Sequence, residues 1–370
     1  MPTFGRNPSR SNIALCYLKY LVQFFHISAI IESDHLHINR NLMNRYIKNF
    51  SKFLILTASL MLEACNAAND SVQHSSFAYI TNQGEHTVSV INTETNQVTS
   101  TISVGKAPVG VAVSTQLQRA YISNVESQDI SVINTQTNTV IDTIKIKGSP
   151  VGLALAPDDS TLYVADWFEN RVLAINTLDP QKVREIKVGD APAGLVVSPD
   201  SKTLYISNRD SNDIAVIDTK TLTIQKRIAV GKHPFGIALS KSGKTLISVN
   251  VMDDSVSVIN LHNNTLQTIK VSYHPYCAVL TDDENTLYVT NTQDDSVSVI
   301  DMRTQKTIAT IGVGSTPEGI SLNPANQRAY VANWGSNNVS VIDTNTNTLI
   351  ATIKTGEKSR AFGNFILPKQ

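Results

Sequence analysis

The sequence predicts an all-β fold, a seven-bladed β-propeller of four-stranded antiparallel blades, and three observations carry that expectation. A short motif, usually Tyr followed by apolar or small residues and then Asn or Asp, occurs seven times, starting at Tyr79, Tyr121, Tyr163, Tyr205, Ile247, Tyr288 and Tyr330. Successive starts lie 42, 42, 42, 42, 41 and 42 residues apart, a period of about 40–45 residues that suits one propeller blade. Each period also holds four β-prone runs divided by turn residues, as an antiparallel meander requires.

The second period shows the order of elements. Gly110-Val111-Ala112-Val113 is followed by Ala120-Tyr121-Ile122-Ser123, then Ile130-Ser131-Val132-Ile133, then Val140-Ile141-Asp142-Thr143-Ile144. Pro108, Pro150, Pro192, Pro234, Pro275 and Pro317 stand just before the first run, where a missing N–H does not weaken a central strand. Pro-Asp at Pro157 and Pro199, and Asp-Thr or Asn-Thr after the third run, supply turns. The motif at Tyr79 lacks a Pro-x-Gly run in front of it, whereas the last period is followed by Ala361-Phe362-Gly363-Asn364-Phe365-Ile366. The C-terminal strand, about 361–367, is therefore expected to complete the N-terminal blade and close the ring, leaving no open array end.

Leu287-Tyr288-Val289-Thr290-Asn291, with Pro-x-Gly and Val-Ser-Val-Ile-Asp, resembles the YVTN family of β-propeller repeat proteins, bacterial envelope proteins among them. The resemblance covers residues 77–367. It implies the propeller fold but a mixed set of activities, including envelope binding proteins, lactonases, antibiotic lyases and haem d1 domains, so function must be argued from the site.

Residues 1–76 read as a separate region. From Met43, Arg45, Lys48 and Lys52 precede the apolar run Phe53 to Leu62, which is followed by Glu63-Ala64-Cys65. This order matches a secretory signal over 43–64, its apolar run shorter than a membrane span. Leu62 to Cys65 resembles a bacterial lipoprotein box, which implies lipidation at Cys65, a short tether over 65–76 and the propeller over 77–370. Asn66 is compatible with sorting to the outer membrane. The alternative is ordinary cleavage nearby and a soluble periplasmic product. Residues 1–42 are expected to be an upstream extension from a misassigned start, with Met43 the true one. Beyond residue 65 the only cysteine is Cys277, so burial rather than a disulfide must stabilise the propeller.

Charge argues against nucleic acid. Leaving out the seven basic and three acidic residues of 1–65 takes the totals from 31 and 31 to 24 and 28, a net of about −4, whereas nucleic-acid binders carry a basic excess. A protein or cell-envelope component is the expected partner, with membrane contact only through a lipid anchor. A closed ring needs no second copy to finish its sheets, so a monomer is expected.

Sites are expected in the loops around one mouth of the central channel. The residue before the recurrent Pro is small in most blades but is His233 and His274 in two neighbouring ones, and Cys277 replaces a recurrent Gly. Imidazole and thiolate ligate zinc or copper, and Asp253, Asp254, Asp294 and Asp295 fall in the other loops of that face, so a divalent metal is conceivable although no cofactor is required. The simpler reading makes His-Pro a strand start and Cys277 a small core residue. Trp167, Phe168 and Trp334 break the repeat beside Arg209, Asp210 and Glu318, a composition suited to recognition. No Gly-x-Ser-x-Gly elbow, phosphate loop, His-Glu-x-x-His or Cys-x-x-Cys-His is present. The leading expectation is therefore an exported binding scaffold. The alternative is a lactonase- or lyase-type enzyme that uses His233 and His274.

Overall fold

A computed structural model describes residues 75–369, and the expectations for 1–74, including the signal and Cys65, lie outside them. The described residues form seven antiparallel blades. The second blade is typical, with strands Pro108–Ser114, Arg119–Asn124, Asp129–Asn134 and Thr139–Lys145 in spatial order from the channel outward. The motif strand is buried almost throughout because it lies between neighbouring strands and neighbouring blades; in Arg119–Asn124 only Arg119 is partly exposed. Tyr79, Tyr121, Tyr163, Tyr205, Tyr288 and Tyr330 are all core residues, as their recurrence predicts. The outermost strands are exposed on most positions. Among the described residues the only helical segment is a 3-10 turn, Val251–Asp253.

Inner strands begin two residues earlier than the sequence suggests, at the Pro itself. Pro108 faces Asn124, a bulge follows, and pairing resumes at Val111 with Ile122; the same irregularity recurs in the other blades. The bulge turns the next Gly toward the neighbouring blade. A Cβ on Gly152 would lie 2.0 Å from the Ala193 carbonyl oxygen, and one on Gly110 would lie 2.3 Å from that of Val151. Pro-x-Gly is thus the sequence of a strand start that packs backbone to backbone on the next blade.

Closure uses the C-terminus in two parts. Ile366–Leu367 pairs antiparallel with Phe77–Asn82 and supplies the inner strand of the first blade, as expected. Phe362–Asn364 instead runs parallel to Pro108–Ser114 of the second blade. The physical reason is length. Ser359 bridges Asn82, where the Pro stands in sister blades, yet Ile366 is the partner of Ala78. Seven positions therefore fill a span that takes five from Pro108 to Val113, its counterpart against Ala120, and the excess bows across the channel.

Candidate functional site

Around the channel mouth, three positions of the repeat come together: the residue before the recurrent Pro, the residue after it, and the first residue beyond the Tyr motif. The position before Pro adopts a left-handed backbone at Ala107, Ala191, His233, His274, Thr316 and Lys358. Its exposed N–H is bonded by a side chain from the preceding blade, as in Ala191 N–H to Asn170 Oδ1 at 2.9 Å, His233 N–H to Asn212 Oδ1 at 2.9 Å and Lys358 N–H to Asn337 Oδ1 at 2.7 Å.

This latch revises the reading of the aspartates. Asp254 accepts the His274 N–H at 2.9 Å, Asp295 accepts the Thr316 N–H at 2.8 Å, and Asp253 accepts the Lys232 N–H at 2.7 Å. Asp294 accepts the hydroxyls of Ser272 and Ser296. Asp254 and Asp295 thus join one blade to the next while Asp253 and Asp294 brace the entry loop of their own blade, and none stands ready for a ligand, because each already satisfies an N–H or O–H that the turn leaves unpaired. Among the described residues no three His, Cys, Asp or Glu side chains converge on a point suited to a metal ion. Cys277 is buried below the rim, and desolvation pushes its thiol pKa up, away from the thiolate a metal would need.

The two histidines do occupy the rim, in different states. His233 Nε2 lies 4.0 Å from Asp210 Oδ1, while its buried Nδ1 has no hydrogen-bond partner. His274 Nδ1 lies 2.7 Å from Thr292 Oγ1, and that hydroxyl donates to the His274 carbonyl at 2.9 Å. With its one proton so used, Thr292 must accept from Nδ1–H, which leaves the lone pair of a neutral ring on Nε2. Burial lowers the His274 pKa, opposed by the charge of Asp254, and this favours the same neutral form.

The position after Pro fills the channel. It is Val109, Val151 and Ala193 in three successive blades, then Phe235, Tyr276, Glu318 and Arg360. Ring centroids of Phe235 stand 4.2 Å from Tyr276, 4.9 Å from Phe362 and 5.8 Å from Trp167, so an aromatic plug closes the channel just below its mouth. Within the plug, Arg360 Nε pairs with Glu318 Oε2, and Arg360 Nη2 donates to the Tyr276 hydroxyl at 2.8 Å. Glu318, expected on an open surface, is only 8 % exposed. Its burial raises the carboxyl pKa against the pull of Arg360. Phe235, Tyr276, Phe362 and Arg360 were not singled out by sequence; aligning the residue after each Pro would have shown that column change from small to large at Phe235, Tyr276 and Glu318, whereas Arg360 follows a Ser and Phe362 lies outside the column.

The position beyond the motif places Trp167, Arg209 and Trp334 on the rim. The Arg209 guanidinium sits 5.6 Å over the Trp167 ring and pairs with Asp210 at 2.5 Å, and Lys358 Nζ sits 5.3 Å over Trp334, whose Nε1 donates to Gln83 at 3.1 Å. Each stack contributes about 0.5–1 kcal/mol and holds its Trp upright. Phe168, Met252 and Tyr273 extend the face, exposed by 75 %, 58 % and 65 %. Apart from the outermost strands, the described residues expose one other large apolar side chain, Leu178, on the opposite face.

Two family models match parts of the chain: "Lactonase, 7-bladed beta-propeller" over residues 172–277 and "YNCE-like beta-propeller" over residues 43–218, each less than half of it. No curated protein matches. Among solved structures, the chain is similar to Kuenenia stuttgartiensis hydrazine synthase at 24% identity and a TM-score of 0.66, covering 72% of this chain and 92% of that one. A functionally unknown protein from Desulfotomaculum acetoxidans matches at 15% identity and 0.68, over 78% and 99%. The dihydro-heme d1 dehydrogenase NirN in complex with DHE matches at 14% and 0.61, over 77% and 65%. At these identities the likeness is one of architecture, and the chain is a seven-bladed β-propeller with lactonase-like and YNCE-like segments.

Proposed function

We propose that this chain is an exported β-propeller that binds a protein or other component of the bacterial cell envelope through its channel-mouth face. One observation carries the reading: in a molecule whose blades otherwise repeat, Trp167, Phe168, Met252, Tyr273 and Trp334 break the pattern together on one face, three of them more than half exposed. Exposed apolar groups gathered on one face among charged residues mark interaction surfaces. The aromatic plug directs recognition to that surface by leaving little depth below it. The order from Met43 to Cys65, basic residues and then an apolar run ending near a cysteine, supports export; a lipid at Cys65 remains part of the proposal.

A photo-crosslinking residue placed at Phe168 in producing cells should yield a discrete adduct that disappears with Trp167→Ala and Tyr273→Ser at unchanged melting temperature. The same probe at Leu178 should yield none. Adducts from Leu178 alone would overturn the reading. The second reading, a lactonase-type enzyme, is favoured by the span of the lactonase-like match, which contains Arg209, Asp210, His233 and His274, and by the free Nε2 lone pair on His274. Native mass spectrometry separates the two: a bound metal or small molecule lost in the His233→Ala, His274→Ala variant would move the enzyme reading ahead, whereas crosslinking that survives the double variant supports the scaffold.

A further inference from the structure

Six blades begin the repeated motif with Tyr, and the fifth begins it with Ile247. In three of the six, the Tyr hydroxyl leaves its own blade and donates to the turn between the third and fourth strands of the next one. Tyr79 reaches Asn138 Oδ1 at 3.2 Å, Tyr288 reaches Asn347 Oδ1 at 2.6 Å, and Tyr330 reaches Asn96 Oδ1 at 3.2 Å. Tyr288 and Tyr330 also lie 3.3 and 2.9 Å from the carbonyl oxygens of Thr344 and Thr93 in those turns. The phenol is a peg between blades, its ring in the gap and its hydroxyl met by an amide oxygen.

Ile247 has no such peg. In the sixth blade Met302 and Gln305 stand where Thr344 and Asn347 stand in the seventh, and both line a cavity of about 420 Å3 between the fifth and sixth blades. Val258, directly opposite Ile247 in the sheet, lines it too. The same gap between the second and third blades, lined by Tyr121 and by Val132 opposite it, holds only about 40 Å3. Gln305 has the left-handed backbone of Asn96, Asn138 and Asn347, and among the described residues its side-chain amide has no hydrogen-bond partner. We propose that this gap binds a phenol from outside, a tyrosine side chain of a peptide or a small phenolic compound, in the place that the protein's own tyrosines take in sister blades. The ring meets Val258, Leu280 and the Met302 thioether, a favourable neighbour for an aromatic ring, and the hydroxyl donates to Gln305 Oε1. Gln267 and Arg303, also in the wall, face the hydrated remainder of the ligand. The cavity lies at the turns of the face that carries Leu178, opposite the channel mouth, and so is separate from the surface proposed above.

The test uses the full chain and saturation-transfer NMR with N-acetyltyrosinamide, N-acetylphenylalaninamide and p-cresol. Saturable binding of N-acetyltyrosinamide is expected, about fivefold or more tighter than that of the phenylalanine analogue, which lacks the hydroxyl. Ile247→Tyr restores the built-in peg, so it should abolish the binding and raise the melting temperature. Gln305→Gly keeps the left-handed turn but removes the amide, and should bring the two analogues to equal affinity; it decides the matter even if Ile247→Tyr folds poorly. Trp167→Ala should leave binding unchanged. The sources separate by affinity: p-cresol binding as tightly as N-acetyltyrosinamide assigns the site to a small phenol, and p-cresol binding about tenfold more weakly assigns it to a tyrosine held in a peptide. Absence of saturable binding, equal affinity for the two analogues in the parent protein, or binding that persists in a folded Ile247→Tyr protein would overturn the proposal.

Discussion

The Asn that closes each Tyr motif is a hub rather than a ligand. Asn82 Nδ2 donates to Thr87 and Ser89, both at 2.9 Å, and its Oδ1 accepts the Gly356 N–H at 3.1 Å, tying two strands of its blade to the loop that leads in from the previous one, from a fully buried position. The third blade has Asp166 there, and the sequence compensates: Arg171 replaces the small polar residue of sister blades and pairs with Asp166 at 3.0 Å, the carboxylate fully buried. Arg171→Met would leave that charge with only a backbone partner, the Ser149 N–H at 2.8 Å, and should cost about 3–5 kcal/mol in a urea melt. Adding Asp166→Asn with Thr at 171 recreates the common arrangement and should recover most of the loss; a single variant as stable as the parent would show the pair to be dispensable. Recurrence made the tyrosines and asparagines readable as structure. The same logic was hidden for Asp254 and Asp295, because the groups they satisfy are backbone N–H donors of a left-handed turn, which no side-chain pattern displays.

At the scale of the strand, the inner element is defined by contact between backbones. Gly152 sits where its neighbour's carbonyl leaves no room for a methyl group, so Gly152→Ala must either push two blades apart or distort the bulge, and a loss of about 1–3 kcal/mol is expected. Gly312, at the end of the exposed strand Lys306–Gly312, meets nothing within 4 Å. Gly312→Ala should be neutral or stabilising by about 0.4–1 kcal/mol, since it restricts only the unfolded chain. Thermal melts of the two variants side by side check the assignment, and equal effects would contradict it. Strand order and the face carrying His233 and His274 were legible from the repeat. What escaped was where the side chain after each Pro points: only the bulge sets it toward the channel axis, which is how Glu318 moved from an expected surface into a buried pair with Arg360.

For the whole molecule, the decisive feature is that the ring is completed by residues from both ends of the propeller. That closure was legible because one blade lacked its Pro-x-Gly run. The detour through Phe362 appears in the sequence only as two surplus residues before Ile366, a signal without meaning until the pairing is known. Phe365, Ile366 and Leu367 are 0 %, 4 % and 6 % exposed, and the Lys369 N–H meets Ser76 Oγ at 3.1 Å. Burying three such side chains contributes up to about 6 kcal/mol, a large share of the roughly 5–15 kcal/mol that holds a domain folded. Truncation after Asn364 should therefore lower the melting temperature sharply or leave the protein insoluble, and deletion of 359–370, which also removes Arg360 and Phe362, should be worse. If closure acts through sheet pairing and not through chain order, a circular permutant should tolerate what truncation does not. Joining Lys369 to Ser75 by a short flexible linker, with new ends opened beside the exposed Leu178, keeps every strand pair while reversing which residues are terminal. Such a permutant is expected to melt within a few degrees of the propeller it came from; a permutant that folds no better than the truncated chain would mean that the order of synthesis, not the completed sheet, secures the ring.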